Sequence, residues 1–200
     1  TPSQTFESQE LSSQFQTVIS EDYDPRSFTP PKKSELEGYI SKLLSSPGSS
    51  NGGYDLDNGV TDGELNALLV GRKYQLVYST EKNSLFNGLP PRTKVVLEFF
   101  DAENMEYRIE FWENWMKNIK TKSSYELKRS NLTNQPALCF QYEAPKVKLF
   151  NFEFNVGAMK GQTNFILMTW FDGNIWVEEG WDGGERGKGD RFLNVYCVSS

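Results

Sequence analysis

The stretch from Phe165 to Val198 constrains the fold more than any other part of the chain. Phe165-Ile166-Leu167-Met168-Thr169-Trp170-Phe171 and Ile175-Trp176-Val177-Glu178-Glu179 are joined by Asp172-Gly173-Asn174. Two apolar runs linked by residues that tolerate positive φ make a tight β-hairpin. A glycine-rich loop from Gly180 to Asp190 comes next, then a further strand-like run from Arg191 to Val198. Strict alternation puts Phe165, Leu167 and Phe171 on one face of the first strand and Ile166, Met168 and Trp170 on the other. A strand apolar on both faces belongs inside a structure, covered on each side.

The rest of the chain supplies more strands. Tyr74, Leu76 and Tyr78 alternate with Gln75 and Ser79, and Val95–Phe100 comes after the break at Pro90-Pro91. Met105, Tyr107, Ile109 and Phe111 alternate with Glu106, Arg108 and Glu110. Next come Ser124–Arg129, Ala137–Tyr142, and a run in which Phe150, Phe152, Phe154 and Val156 alternate with Asn151, Glu153 and Asn155. That makes about nine strands with hairpin-sized connections. Such a meander closes most easily into an antiparallel up-and-down barrel of 8–9 strands or a curved half-barrel. A sandwich is the alternative, but it calls for longer crossovers.

Three regions are expected: an extended arm over 1–33, a helical lead-in over 34–70, and the β-barrel domain over 71–200. Residues 1–33 are rich in Ser, Gln, Thr, Pro and acids, with isolated anchors at Phe6, Leu11, Phe15, Val18, Ile19, Tyr23 and Phe28. They read as a solvated tail or as an arm that docks. Ser34-Glu35-Leu36-Glu37 has the capping-box pattern and is expected to open a helix whose apolar face is Leu36, Tyr39, Ile40, Leu43 and Leu44. Pro47-Gly48 ends it. Thr61-Asp62-Gly63-Glu64 repeats the pattern before Leu65, Leu68 and Leu69. These helices are expected to pack on or plug the barrel.

Charge and composition exclude several functions. The net charge is −6, and residues 1–64 hold eleven acids against four bases, so nothing resembles the basic footprint of a nucleic-acid binder. The chain has no histidine, which removes the commonest general base and zinc ligand. Histidine-based triads are thereby out; serine–lysine pairs are the nucleophilic arrangement left open. Cys139 and Cys197 are read as two free thiols rather than a pair, since free cysteine behaves as a small hydrophobe. No apolar run approaches the ~20 residues of a membrane span. Thr1, not Met, suits a processed end.

Two motifs fail on inspection. Asp55, Asp57, Asn58, Asp62 and Glu64 suggest a calcium loop, but Gly59, Val60 and Asn66 stand where an EF-hand needs other residues. The glycine loop has Gly187-Lys188-Gly189 where a phosphate-binding loop needs Gly-Lys-Ser/Thr. Asn131-Leu132-Thr133 fits a glycosylation acceptor and reads as a turn. The aromatic alternation is more informative. Either the rings fill an ordinary core, or Tyr74, Tyr78, Phe111, Phe152, Phe154, Trp170 and Trp176 line a cavity for one elongated apolar ligand.

The order of features resembles the plastid lipid-associated proteins, the plastoglobulin/fibrillin family. Leu69-Val70-Gly71-Arg72-Lys73-Tyr74-Gln75-Leu76-Val77-Tyr78-Ser79-Thr80 is similar to the family's Gly-Lys-Trp-x-Leu-x-Tyr-Thr-Ser segment. Trp170 to Gly180 takes the place of its terminal hairpin and Phe192 to Val198 that of its last strand, with Trp176 and Glu179 where the family has arginines. The resemblance spans roughly residues 35–198. It implies a lipocalin-like barrel and a non-enzymatic plastid protein at the thylakoid or plastoglobule. No cofactor is implied beyond a lipophilic molecule such as a carotenoid, quinone or lipid. The second expectation is a soluble accessory subunit of a photosynthetic membrane complex, acting through protein contacts at its acidic arm and glycine loop.

Overall fold

A computed structural model describes residues 6–20, 30–45, 53–57, 59–80, 93–111, 116–129, 134–149, 152–155, 160–161, 163–181 and 189–199. The fold is mainly β. Its elements in chain order are α1 (Phe6–Ser20), α2 (Pro30–Leu44), α3 (Asp62–Leu69), β1 (Lys73–Ser79), β2 (Lys94–Phe99), β3 (Asn104–Glu110), β4 (Met116–Arg129), β5 (Pro136–Tyr142), β6 (Lys146–Leu149), β7 (Phe152–Asn155), β8 (Thr163–Phe171), β9 (Ile175–Trp181) and β10 (Arg191–Ser199).

Every pairing in the sheet is antiparallel, and the order β3-β2-β1-β10-β9-β8-β5-β4 closes through a β3–β4 ladder into an eight-strand barrel. β4 is longer than the Ser124–Arg129 run suggested. Its one edge pairs with β3, while the other pairs with β5 over Ser123–Arg129 and with β6 over Met116–Lys120. β6 thus takes over the edge that β5 leaves at Glu143–Pro145, where proline has no N–H for the ladder. β7 pairs with β6. The expected up-and-down barrel is the observed architecture.

The hairpin between β8 and β9 forms through one side chain. Asp172 Oδ1 accepts from the backbone N–H of Asn174 and of Ile175, each at 2.8 Å. Gly173 adopts φ +97°, a conformation L side chains avoid. Its carbonyl accepts from Arg72 Nη1 at 2.5 Å and from Tyr74 Oη at 2.9 Å, tying the turn to the start of β1.

The helices divide between an end and a flank of the barrel. Thr61 caps α3 with a reciprocal box: Glu64 N–H donates to Thr61 Oγ1 at 3.2 Å and Thr61 N–H donates to Glu64 Oε2 at 2.8 Å. Those bonds hold the Glu64 carboxyl below its ordinary range. Leu65 and Leu69 of α3 join the interior cluster with Leu56 and Val60. α2 starts at Pro30, one turn earlier than the Ser34 box suggested. Proline fits the first helical turn, where its missing N–H has no partner to lose, so Ser34 lies inside the helix. Leu36, Ile40 and Leu43 form its buried face, as expected.

The extended arm expected over 1–33 is corrected in part: Phe6–Ser20 is the helix α1. Leu11 and Phe15, one turn apart, are fully buried against the barrel wall. A Ser/Gln/Thr-rich segment has weak helix propensity, and tertiary packing of one face supplies what propensity does not. Cys139 and Cys197 are both free thiols, as expected. The whole glycosylation triplet and the glycine-loop residues 182–188 lie outside the described residues.

Candidate functional site

Alternation along the strands, traced through two bulges, sorts the apolar side chains into two bodies. Tyr74 and Leu76 of β1 point into the barrel. The register then shifts between Leu76 and Tyr78, so Tyr78 points out. In β8, Ile166 and Met168 point inward, the register shifts between Met168 and Trp170, and Trp170 points out while Phe171 points in. An extra residue in a strand reverses the facing of every residue beyond it.

The outer body is a seam beneath α1 and α2. It holds Leu11, Phe15, Leu36, Ile40 and Leu43 of the helices against Val77, Tyr78, Trp170, Ile175, Val177, Val195 and Cys197 of the wall. Tyr78 Oη donates to Glu37 Oε1 at 2.6 Å. Burial foremost, then that carboxylate, pushes the Tyr78 phenol well up. Gln16 Nε2 donates to the Val198 carbonyl at 3.0 Å beside Cys197 Sγ. Burial pushes the Cys197 thiol up to about 12. Of the residues expected to line a cavity, Tyr78 and Trp170 therefore belong to this seam.

The inner body grades from packed to accessible. At the end closed by α3, Tyr74 sits 6.1–6.2 Å from the rings of Phe99, Phe171 and Trp176, and Phe99 lies 5.1 Å from Tyr125. Tyr54 stacks on Phe171 at 5.9 Å. Tyr125 Oη lies 2.6 Å from Asn66 Oδ1 and 2.8 Å from the Asp101 carbonyl oxygen. Its pKa is pushed up to about 12, by burial first and then by the Asp101 charge. Arg129 fastens the segment ahead of α3: its guanidinium donates to Asp62 Oδ1 at 2.8 Å and to the carbonyls of Leu56 at 2.5 Å, Val60 at 2.6 Å and Asn134 at 3.1 Å. Nothing in local sequence marks this arginine, because its partners Leu56 and Val60 lie about seventy positions away.

Toward the other end the interior gains polar groups. Glu178, Asn194, Ser123 and Thr121 are all buried, and their register places them facing inward alongside Trp176, Tyr196 and Tyr125. Asn194 Nδ2 donates to Glu178 Oε2 at 2.9 Å, and Tyr196 Oη donates to the same oxygen at 3.3 Å. Trp176 and Tyr196 have ring centroids 5.1 Å apart. Three buried atoms here have no hydrogen-bond partner: Trp176 Nε1, Asn194 Oδ1 and Ser123 Oγ. Such orphans are uncommon in native interiors, and each asks for an explanation. Closer to this end, the inward-facing Tyr107, Phe111, Ile119 and Phe192 keep partial exposure. The Phe192 ring covers Gly180, where any Cβ would lie 2.1 Å from it.

Of the seven expected lining residues, the structure brings Tyr74, Trp176 and Phe111 to the inner body. Tyr78 and Trp170 go to the seam, and the Phe152 and Phe154 side chains lie outside the described residues. Glu178, Asn194 and Tyr196 were missed, although the pairing of β9 with β10 was foreseeable and the three share one inward face. Among the described residues no group of His, Cys, Asp or Glu could hold a metal ion, and no helix is long and apolar enough to cross a membrane. No family model, curated protein or solved structure matches this chain.

Proposed function

We propose that this chain is a non-enzymatic, lipocalin-like plastid protein that holds a lipophilic molecule in the accessible part of its barrel. An eight-strand barrel is the size at which side chains either fill the interior or leave room for one small ligand. The observation that carries the reading is the division of the interior. One end is packed with rings and stoppered by α3. The other presents partly exposed Tyr107, Phe111, Ile119 and Phe192 above buried polar atoms without partners. Apolar burial drives the binding, since each CH₂ removed from water contributes ~0.8 kcal/mol. The resemblance of residues 35–198 to the plastid lipid-associated proteins supports a thylakoid or plastoglobule setting and a carotenoid, quinone or lipid as cargo.

The test is to incubate the recombinant chain with a plastid lipid and pigment extract, re-purify it by size exclusion, and extract it for absorbance and mass spectrometry. A lipophile retained at near one-to-one ratio is the expected result. A well-folded protein that emerges empty overturns the carrier reading. It would favour the second one, an accessory subunit of a photosynthetic membrane complex, for which the motivating observation is the exposure of Phe165, 63%, on the outer face of β8.

A further inference from the structure

We infer that the cargo's polar end is a hydroxyl group, held between Trp176 and Asn194; this rests on the carrier reading above. Trp176 lies on β9 opposite Tyr196 of β10, and Asn194 is two residues from Tyr196 on the same inward face. The two side chains are therefore diagonal neighbours, a spacing within reach of aromatic and long side chains. Trp176 is 0% exposed and Asn194 6%.

The indole nitrogen can only donate. The Asn194 amide is oriented by its neighbour: Nδ2 donates to Glu178 Oε2 at 2.9 Å. That leaves Oδ1, an acceptor, as the unpartnered atom. The site thus offers one unpartnered donor and one unpartnered acceptor on diagonal neighbours of one inward face. A hydroxyl complements both, accepting from Trp176 and donating to Asn194. A ketone or aldehyde accepts only and leaves Asn194 Oδ1 unpaired. A carboxylate also only accepts, and it would face both Asn194 Oδ1 and the Glu178 carboxyl. A hydrocarbon serves neither.

The seam contains an orphan indole as well, Trp170 Nε1. It abuts Gly53, where a Cβ would lie 2.6 Å from that nitrogen, and the orphan next to it in the chain, Thr169 Oγ1, is a hydroxyl that can already serve as both donor and acceptor. The interior pair differs in its complementarity and in its place below the accessible rings. The Tyr196 ring lies against Trp176, so an entering hydroxyl has to move that ring aside. The apolar body then runs outward along Tyr107, Phe111 and Ile119. The ligand class is an isoprenoid or long-chain alcohol, bound polar end first.

The experiment titrates the full chain with phytol and with the aldehyde, carboxylate and hydrocarbon of the same skeleton, monitoring tryptophan fluorescence. Phytol is expected to bind about tenfold more tightly than each of the other three, the scale of one or two net hydrogen bonds. Trp176→Phe keeps a ring but removes the donor, and should cut that preference to about threefold or less while hydrocarbon binding persists. Equal affinity for all four ligands, or preference for the carboxylate, overturns the hydroxyl assignment and leaves the carrier reading standing. Binding of none of them overturns the hydroxyl assignment, and the carrier reading then falls only if the protein also emerges empty from the lipid and pigment extract. The wild-type series decides the matter even where the variant fails to fold.

Discussion

The barrel interior and the seam beneath α1 and α2 are built from the same strands and the same residue types, yet they are packed differently. The seam is a closed packing problem. Tyr78 reaches Glu37, and Gln16 reaches Val198 and Cys197, while Trp170 Nε1 has no partner. The interior is asymmetric, with rings locked at one end and orphan polar atoms toward the other. An aromatic content high enough for two cores does not say which is for stability and which for binding. The distribution of unpartnered polar atoms is what supports the proposed binding role of the interior.

The hardest test of this contrast is Trp170→Ala. It removes the largest ring of the seam and should cost ~3–5 kcal/mol of stability in chemical denaturation, with ligand preference unchanged. A loss of preference without a loss of stability would show that the seam and the interior are not separate. Next in size is Arg129→Met, which unties the carbonyls of Leu56 and Val60. It should cost ~2–3 kcal/mol. Hydrogen exchange should quicken over residues 53–62 while the α1 and α2 amides stay protected. Uniform quickening would mean that the closed end and the seam unfold as one unit.

The smallest effect, read as the change per pH unit, is set by pH. Cys197 in the seam rises from an ordinary 9.0 to about 12, and Tyr125 at the closed end from 10.0 to about 12. In both, folding favours the protonated form. Their contribution is whole below pH 9 for the thiol and below pH 10 for the phenol, and it is lost as pH climbs from there to about 12. One such group changes stability by at most about 1.4 kcal/mol per pH unit. Thermal melts of wild type and Cys197→Ala should therefore run parallel up to about pH 9 and converge above it. Parallel curves to about pH 11 would deny Cys197 its buried setting.

Much of the barrel was legible because its signals are local. Asp172-Gly173-Asn174 makes its turn with its own side chain and backbone, and Thr61 and Glu64 close their cap within one helical turn. Period-two runs such as Met105–Phe111 need only alternate to announce strands. The candidate site was less legible. Tyr74, Trp176 and Phe111 were placed by alternation, but Tyr78 and Trp170 were misplaced because a bulge leaves no mark in composition. Asn194 and Glu178 gain meaning only as a cross-strand pair.

The sequence by itself determined that this chain would be a series of antiparallel strands led by helices, one of them opened by the Thr61 cap, because hydrogen bonds and side-chain periods within a few residues dictate those elements. Tertiary structure alone decided three things: that Phe6–Ser20 becomes a helix, that Tyr78 and Trp170 turn outward to meet the helical layer, and that Arg129 closes one end of the barrel. Each depends on groups far apart in the chain. A weak helix former folds when it has a wall to cover, and a strand accepts a bulge when the closed sheet requires the register to shift.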